Sequence, residues 1–286
     1  MRYAFIDEHR KTWPLAVMCR VLEVARSGYH AWRKRGVNTQ ALRRAELAEK
    51  IKPIFHASDG TYGSPRVHRQ LLEDGEQVDR KTVAKVMKQA GLFATLPKGF
   101  VPTTTDSKHN LPIAPNRLKR NFAASGPNQK WCADITYIWT DEGWMYLACI
   151  MDCFSRMIVG WSMSDSLAGP LVNAALRMAI ERRRPAAGLI HHSDRGCQYA
   201  AAIYQTLLAG QEIQPSMSRV GCCYDNAMME SFFATLKREL IHRRSFSNRK
   251  EAESAIFEYI EGFYNRKRRH SSLGYLSPEA FEAQLN

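Results

Sequence analysis

No apolar run in these 286 residues approaches the roughly 18 needed to cross a bilayer. The opening MRYAFIDEHRK has no apolar stretch followed by small residues of the kind that directs secretion. The expectation is therefore a cytoplasmic protein with no membrane partner. Paired cysteines are also missing: there are seven, an odd number, with no C-x-x-C spacing, so reduced thiols are expected rather than a disulfide framework. The adjacent pairs His191-His192 and Cys222-Cys223 do not make a zinc site, because neighbours on a strand point to opposite faces and no second pair completes a tetrahedral set. Negative charge is scarce as well, with 28 Asp and Glu against 41 Lys and Arg, a formal net charge of +13.

That excess is uneven. Residues 1–125 hold 23 basic and 11 acidic side chains, a net +12, whereas residues 126–286 hold 18 and 17, a net +1. A basic segment joined to a nearly neutral one suggests a nucleic-acid-binding region attached to a catalytic region. Residues 13–34 alternate apolar and basic positions at helical spacing and read as two short helices, with the turn at Ser27-Gly28. A further helix covers residues 40–56. Ser64 and Pro65 then suit a helix start and Gly75 its end. Asp79 can cap a following helix, in which Lys81, Lys85 and Lys88 share one face and Val83, Val86, Met87 and Ala90 the other. This is a helix-turn-helix over about residues 62–91, with Arg66, Lys81, Lys85 and Lys88 as candidate DNA contacts. Residues 96–128 are rich in proline and threonine and carry Lys108, Arg117, Lys119 and Arg120, the composition of a basic linker.

From residue 129 the pattern turns to strands: 130–139, 144–152 and 155–164 in hairpin succession, a helix over 170–183, a strand ending at Asp194, a helix near 199–208, a short strand at 213–216, and a long helix through Glu230. Asp225 and Asn226 suit its cap, and Met229, Phe232, Phe233, Leu236 and Leu240 form its apolar face. Asp134 stands in the middle of the apolar strand WCADITYIW. A carboxylate there costs several kcal/mol of desolvation unless it is paired or binds a metal, and a divalent cation shared with Asp194 and Glu230 answers that need. Lys237, seven residues beyond Glu230, returns to nearly the same helix face about 10 Å along the axis, where it is a candidate contact for a DNA phosphate. Asp152 and Asp165 read as ordinary turn aspartates. The tail 248–285 reads as helical, with Ala255, Ile256, Tyr259, Ile260 and Phe263 apolar and the basic run Arg266 to His270 open to DNA contact or to solvent.

Asp134, Asp194 and Glu230, with thirty-five residues between the last two, resemble the acidic triad of DDE transposases and retroviral-type integrases. The segments ADITYI, HHSDRGCQYA, SMSRVGCCYDNAMMESFFATLKREL and FYNRKRRHSSLGYLSPEAFE are similar to the second-reading-frame (OrfB-type) transposases of the insertion-sequence-three family. The resemblance implies an α/β fold: a ribonuclease-H-like integrase core preceded by an all-α helix-turn-helix region. The expected division is 1–95 for the helical DNA-binding region, 96–128 for the linker and 129–286 for the core with its helical tail. Val220 and Cys222 depart from the family, which commonly has a basic residue and an asparagine there.

The implied activity is metal-dependent cleavage of DNA at the ends of an insertion sequence, followed by strand transfer. Hard carboxylate oxygens suit two Mg²⁺ or Mn²⁺ ions, with Asp134 touching both and Asp194 and Glu230 holding one each. Expected partners are element and target DNA, further copies of the chain on that DNA, and the product of an upstream reading frame. The rivals are a metal-dependent nuclease of the same fold and a transposase-derived DNA-binding regulator.

Overall fold

The computed structural model describes residues 1–34, 39–94, 110–219 and 223–285. The first part of the expected linker, residues 96–109 with Lys108, and the family departures Val220 and Cys222 lie outside the described residues. The chain divides into two compact units, Met1–Phe93 and Ala94–Asn286.

The first unit is helical, with α1 (Arg2–His9), α2 (Leu15–Val21), α3 (Arg26–Lys34), α4 (Thr39–Ala57), α5 (Ser64–Glu73) and α6 (Arg80–Gln89). Helix α1 has no counterpart in the sequence expectation. Ser27 and Gly28 lie inside α3 rather than in a turn; the chain reverses just before it, where Glu23 takes a φ of 52°. The Tyr3 hydroxyl lies over Gly28, so a Cβ there would push the end of that side chain aside. Helices α5 and α6 form the helix-turn-helix. Asp79 caps α6 by accepting from Lys81 N at 2.7 Å and Thr82 N at 3.4 Å, and His68 Nε2 lies 2.9 Å from Val78 O across the turn. Val83, Val86 and Met87 are buried while Lys81, Lys85 and Lys88 are exposed, the division that the amphipathic pattern predicts.

The second unit is built on one sheet of β1 (Lys130–Thr140), β2 (Gly143–Asp152), β3 (Ile158–Ser164), β4 (Ile190–Ser193) and β5 (Gln214–Met217) in the order β3-β2-β1-β4-β5. The first three strands are antiparallel neighbours, and β4 and β5 pair in parallel. Helix α7 (Gly169–Arg183) packs close on β3 because Gly160 offers no side chain: a Cβ there would lie 2.7 Å from that of Ala179. Short helices α8 (Cys197–Ala200) and α9 (Ala202–Ala209) connect β4 to β5. Helix α10 (Ala227–Glu239) buries Met229, Phe232, Phe233 and Leu236, with Leu240 just beyond its end. At about 2 kcal/mol for each such side chain, this face alone is enough to hold α10 on the sheet.

The tail continues as α11 (Arg249–Phe257), a π-helical turn to Tyr264 and α12 (Pro278–Glu282). Its basic run is largely absorbed by the protein. Arg268, 4% exposed, makes a two-pronged pair with Glu239 of α10 at 2.8 and 2.7 Å, and Tyr259 donates to the same carboxylate at 2.8 Å. Arg269 donates to Tyr275 O at 3.0 Å. Asn265 spans both backbone groups of Ile158 on β3, accepting from its N–H and donating to its carbonyl at 2.9 Å each. Residues of the expected linker also join this unit: Leu118 is buried, and Ser216 Oγ of β5 accepts from the Arg117 and Leu118 amides.

Candidate active site

Strand β1 places the first acid and parallel pairing places the second. The β1–β4 ladder matches Trp131 with His191 and Cys132 with His192. Carried two residues further, that register brings Asp134 level with Asp194, in the turn where β4 ends. Asp194 Oδ1 accepts from Gly196 N at 2.9 Å, and Asp134 Oδ1 accepts from Ile135 N at 2.8 Å. Behind them the β4 histidines are kept neutral by burial, which pushes His191 down to about 3 and His192 to about 4. His191 Nε2 meets the Tyr204 hydroxyl at 2.9 Å, while His192 meets Ser216 at 2.8 Å and Ser218 at 3.1 Å, so these ring nitrogens are engaged in fixing the strand end.

The third acid rides on α10, and Asn226 fixes where that helix begins. Its side chain does not cap the helix, as the sequence suggests; Nδ2 donates instead to Ala133 O at 3.0 Å, tying the helix start to the residue before Asp134. Asp225 does not cap it either. It is fully buried and accepts from Asn116 at 2.9 Å, Arg120 at 2.8 Å and the Arg219 amide and guanidinium at 3.0 to 3.2 Å. A local capping rule misses both roles because the deciding partners, Ala133, Asn116 and Arg120, are remote in the sequence. The only signal was a polar Asp-Asn pair directly before a deeply apolar helix.

Asp134, Asp194 and Glu230 thus stand on three elements, each partly buried, with Asp194 and Glu230 within electrostatic reach of Asp134. Burial first, and then the Asp194 charge, hold the Asp134 carboxyl well above the ordinary carboxylate range. Glu230 adds to the rise, whereas the Ile135 N–H and the Lys237 ammonium oppose it. Burial also raises Glu230. Lys237 is 8% exposed and lies 4.6 Å from the centre of the Tyr137 ring, within electrostatic reach of Asp134. Desolvation lowers its pKa and Asp134 raises it. Two buried polar atoms beside the acids have no hydrogen-bond partner among the described residues: the Asn226 Oδ1 and the Tyr199 hydroxyl. The first belongs to the side chain that grips Ala133, and the second is close enough for both Asp134 and Asp194 to raise the phenol's pKa.

Of the other sequence-selected residues, Arg66 lies on α5 with its guanidinium 5.4 Å from the Tyr62 ring centre, and Lys81, Lys85 and Lys88 line the exposed face of α6. These four belong to the first unit and the acids to the second. Asp152 is fully buried, accepting from the Asn128 amide at 2.6 Å and the Phe154 amide at 2.9 Å, with Arg183 at 3.6 Å.

Family models described as an integrase core domain match residues 124–223 and 211–278, and one described as an HTH-like domain matches residues 42–100. Transposase InsF for insertion sequence IS3A of Escherichia coli (strain K12) is 45% identical over 284 residues, covering 99% of this chain and 98% of the relative. A 31 kDa protein of insertion element IS600 from Shigella sonnei is 46% identical over 269 residues, 94% and 98% of the two chains. Among solved structures, the HTLV-2 integrase catalytic core domain in complex with magnesium (trimeric form) covers 56% of this chain and 99% of its own, with 15% identity and a TM-score of 0.44. A simian T-cell lymphotropic virus intasome chain covers 82% and 74%, with 12% identity and a TM-score of 0.47. With an HTH-like region ahead of an integrase core and 45% identity across nearly its whole length, the chain belongs to the transposase family of insertion sequence IS3.

Proposed function

We propose that Asp134, Asp194 and Glu230 are the catalytic acids of this transposase and hold two divalent ions, Mg²⁺ or Mn²⁺. The observation that carries the proposal is the approach of three carboxylates from a strand, a turn and a helix, with Asp134 raised by burial first and then by the Asp194 and Glu230 charges. The donor set fits hard divalent cations: all three ligands are carboxylate oxygens. The unpartnered Asn226 Oδ1 and Tyr199 hydroxyl are further polar groups suited to an ion's bound waters. Among the described residues no three such side chains are already gathered tightly enough to close on one ion, so Asp134, Asp194 and Glu230 would have to draw together to hold one.

When bound, the ions neutralise the phosphoryl oxygens, activate the attacking water or 3′-hydroxyl, and stabilise the leaving alkoxide. The chain's own residues provide the frame. Asn226 locks α10 to β1 and so fixes Glu230 against Asp134. Lys237 presents a partly desolvated ammonium two helical turns from Glu230, where it meets a phosphate beside the scissile bond. Arg66, Lys81, Lys85 and Lys88 grip duplex phosphates and fix the register of the helix-turn-helix.

In this reading residues 1–95 bind DNA, 96–128 connect while their second half docks on the second unit, and 129–286 carry out the chemistry. Cleavage and joining occur in the cytoplasm, with several copies on the element ends and the upstream-frame product as a partner. The test uses Asp134→Asn, Asp194→Asn and Glu230→Gln in the full chain, reading Mn²⁺ affinity by calorimetry alongside DNA cleavage and joining. Each variant should bind Mn²⁺ more weakly and lose activity by a factor on the order of 10³. Normal turnover in any one of them removes that residue from the site, and cleavage without joining in the unmutated chain favours a nuclease.

A further inference from the structure

Strand β1 continues past Asp134 into a set of rings that the acids do not need. Lys237 Nζ lies 4.6 Å from the Tyr137 ring centre. Tyr137 meets Trp144 of β2 edge-to-face at 5.2 Å and 90°, and Trp144 meets Trp139 at 4.9 Å and 78°. The rings form one unbroken series that starts at a lysine facing Asp134 and ends in solvent: Trp139 is 56% and Trp144 46% exposed. A cation closes its outer rim. Arg249 of α11 is fixed there by its amide donating to Glu142 at 2.9 Å and its guanidinium to Trp144 O at 3.4 Å.

Two exposed tryptophans at the tip of a hairpin lose hydrophobic stabilisation unless something covers them. Tyr137 and Trp139 stand three and five residues beyond Asp134, about 10 and 17 Å at the rise of an extended strand. That is a few nucleotide spacings from a phosphate held at the acids. The odd offset turns their rings to the other face of β1, and Lys237, which reaches both Tyr137 and Asp134, links the rings to the acid. Planar rings with a cation at their edge are the surface that binds unpaired bases, because every base offers a π face while the backbone seeks positive charge. A duplex keeps its base faces stacked internally and cannot use the rings in this way.

We infer that Trp139 and Trp144 form a stacking shelf for unpaired bases of the DNA strand next to the cleavage point, with Arg249 on the adjoining phosphate. The inference rests on reading Asp134, Asp194 and Glu230 as the catalytic acids. It makes strand separation at the element end part of substrate binding, since the shelf rewards bases that have left their pairs.

The experiment compares a blunt duplex with the same duplex bearing a short single-stranded tail that contains 2-aminopurine, using the full chain and metal-free buffer. The unmutated protein should bind the tailed duplex about 10-fold more tightly than the blunt one, the order expected for stacking one base, and should quench the 2-aminopurine. Trp139→Ala with Trp144→Ala should abolish both effects and leave blunt-duplex affinity unchanged; Trp139→Phe with Trp144→Phe should retain part of each. Both tryptophans are exposed, so a thermal melt close to that of the unmutated chain is expected for all these variants. Equal affinity for the two duplexes, or a preference that survives the double alanine change, overturns the shelf. So does a double alanine variant that loses an oligomeric state in sedimentation while keeping the tail preference, which would make the tryptophans a contact between copies. Asp194→Asn separates the two readings: it should lose cleavage yet keep the quench, and if it cleaves normally the failure lies with the acids and not with the shelf.

Discussion

Helices α6 and α10 look alike in the sequence, each with an apolar stripe and lysines at helical spacing, yet they use charge in opposite ways. On α6 the lysines Lys81, Lys85 and Lys88 stand in solvent opposite buried Val83, Val86 and Met87. On α10 Lys237 and Glu239 are buried with the apolar residues, and Glu230 is half-buried. An exposed charge keeps its hydration and is free to meet a partner's phosphate. A desolvated charge must be answered inside the protein, so its position and its protonation become part of the fold. In this transposase α6 turns its charge outward and α10 inward.

Arg268→Met strikes the inward arrangement hardest. It leaves the Glu239 carboxylate buried without its guanidinium partner, and should cost about 3–5 kcal/mol in denaturant unfolding. Combining it with Glu239→Leu should restore much of the stability, because an apolar pair needs no counter-charge. If Arg268→Met alone costs less than about 1 kcal/mol, the charges of this unit are no more structural than those of α6.

Replacing Lys81, Lys85 and Lys88 together by Ala tests the outward arrangement. Stability should change little, while the slope of log affinity for duplex DNA against log salt should fall by about 3, one for each phosphate that a lysine no longer neutralises. An unchanged slope would leave the α6 face without a DNA role.

The smallest expected effect sharpens the comparison through pH. The Asp134 carboxyl is raised in the folded chain, so the folded state holds its proton more tightly than the unfolded state does. Its contribution to stability is complete below the ordinary Asp range and is lost as pH rises through the elevated folded value. Metal-free protein should therefore lose stability across that rise, and Asp134→Asn should flatten the profile. Mn²⁺ should stabilise the unmutated chain at neutral pH and the variant much less. A pH profile unaltered by Asp134→Asn would mean the carboxyl is not under strain.

The elements that place the acids were legible because each leaves a local pattern. The nearly continuous apolar run of β1, the brief apolar strand before Asp194 and the stripe of α10 are such patterns, and the structure holds strands or a helix at all three. Long-range partners were not legible. Asp225 and Asn226 satisfy every local rule for a helix cap, but Arg120 and Ala133 make stronger claims on them. Arg268 sits in a run of basic residues that suggests solvent or DNA, and only the folded tail brings it to Glu239. Residues 110–128 read as linker because they lack periodicity. Ser216 and Asp225 hold them by hydrogen bonds, a form of order that leaves no periodic trace in sequence.

Asn265 also bears on the solubility of the chain. Strand β3 is at one edge of the sheet, and an open edge is a template on which a strand from another molecule can add, the first step toward aggregation. By occupying both backbone groups of Ile158 with one side-chain amide, the tail denies part of that edge to a foreign strand. A chain that stopped short of residue 265 would keep Asp134, Asp194 and Glu230 but leave that edge available for growth, so incomplete copies would be more prone to precipitate than to compete for DNA.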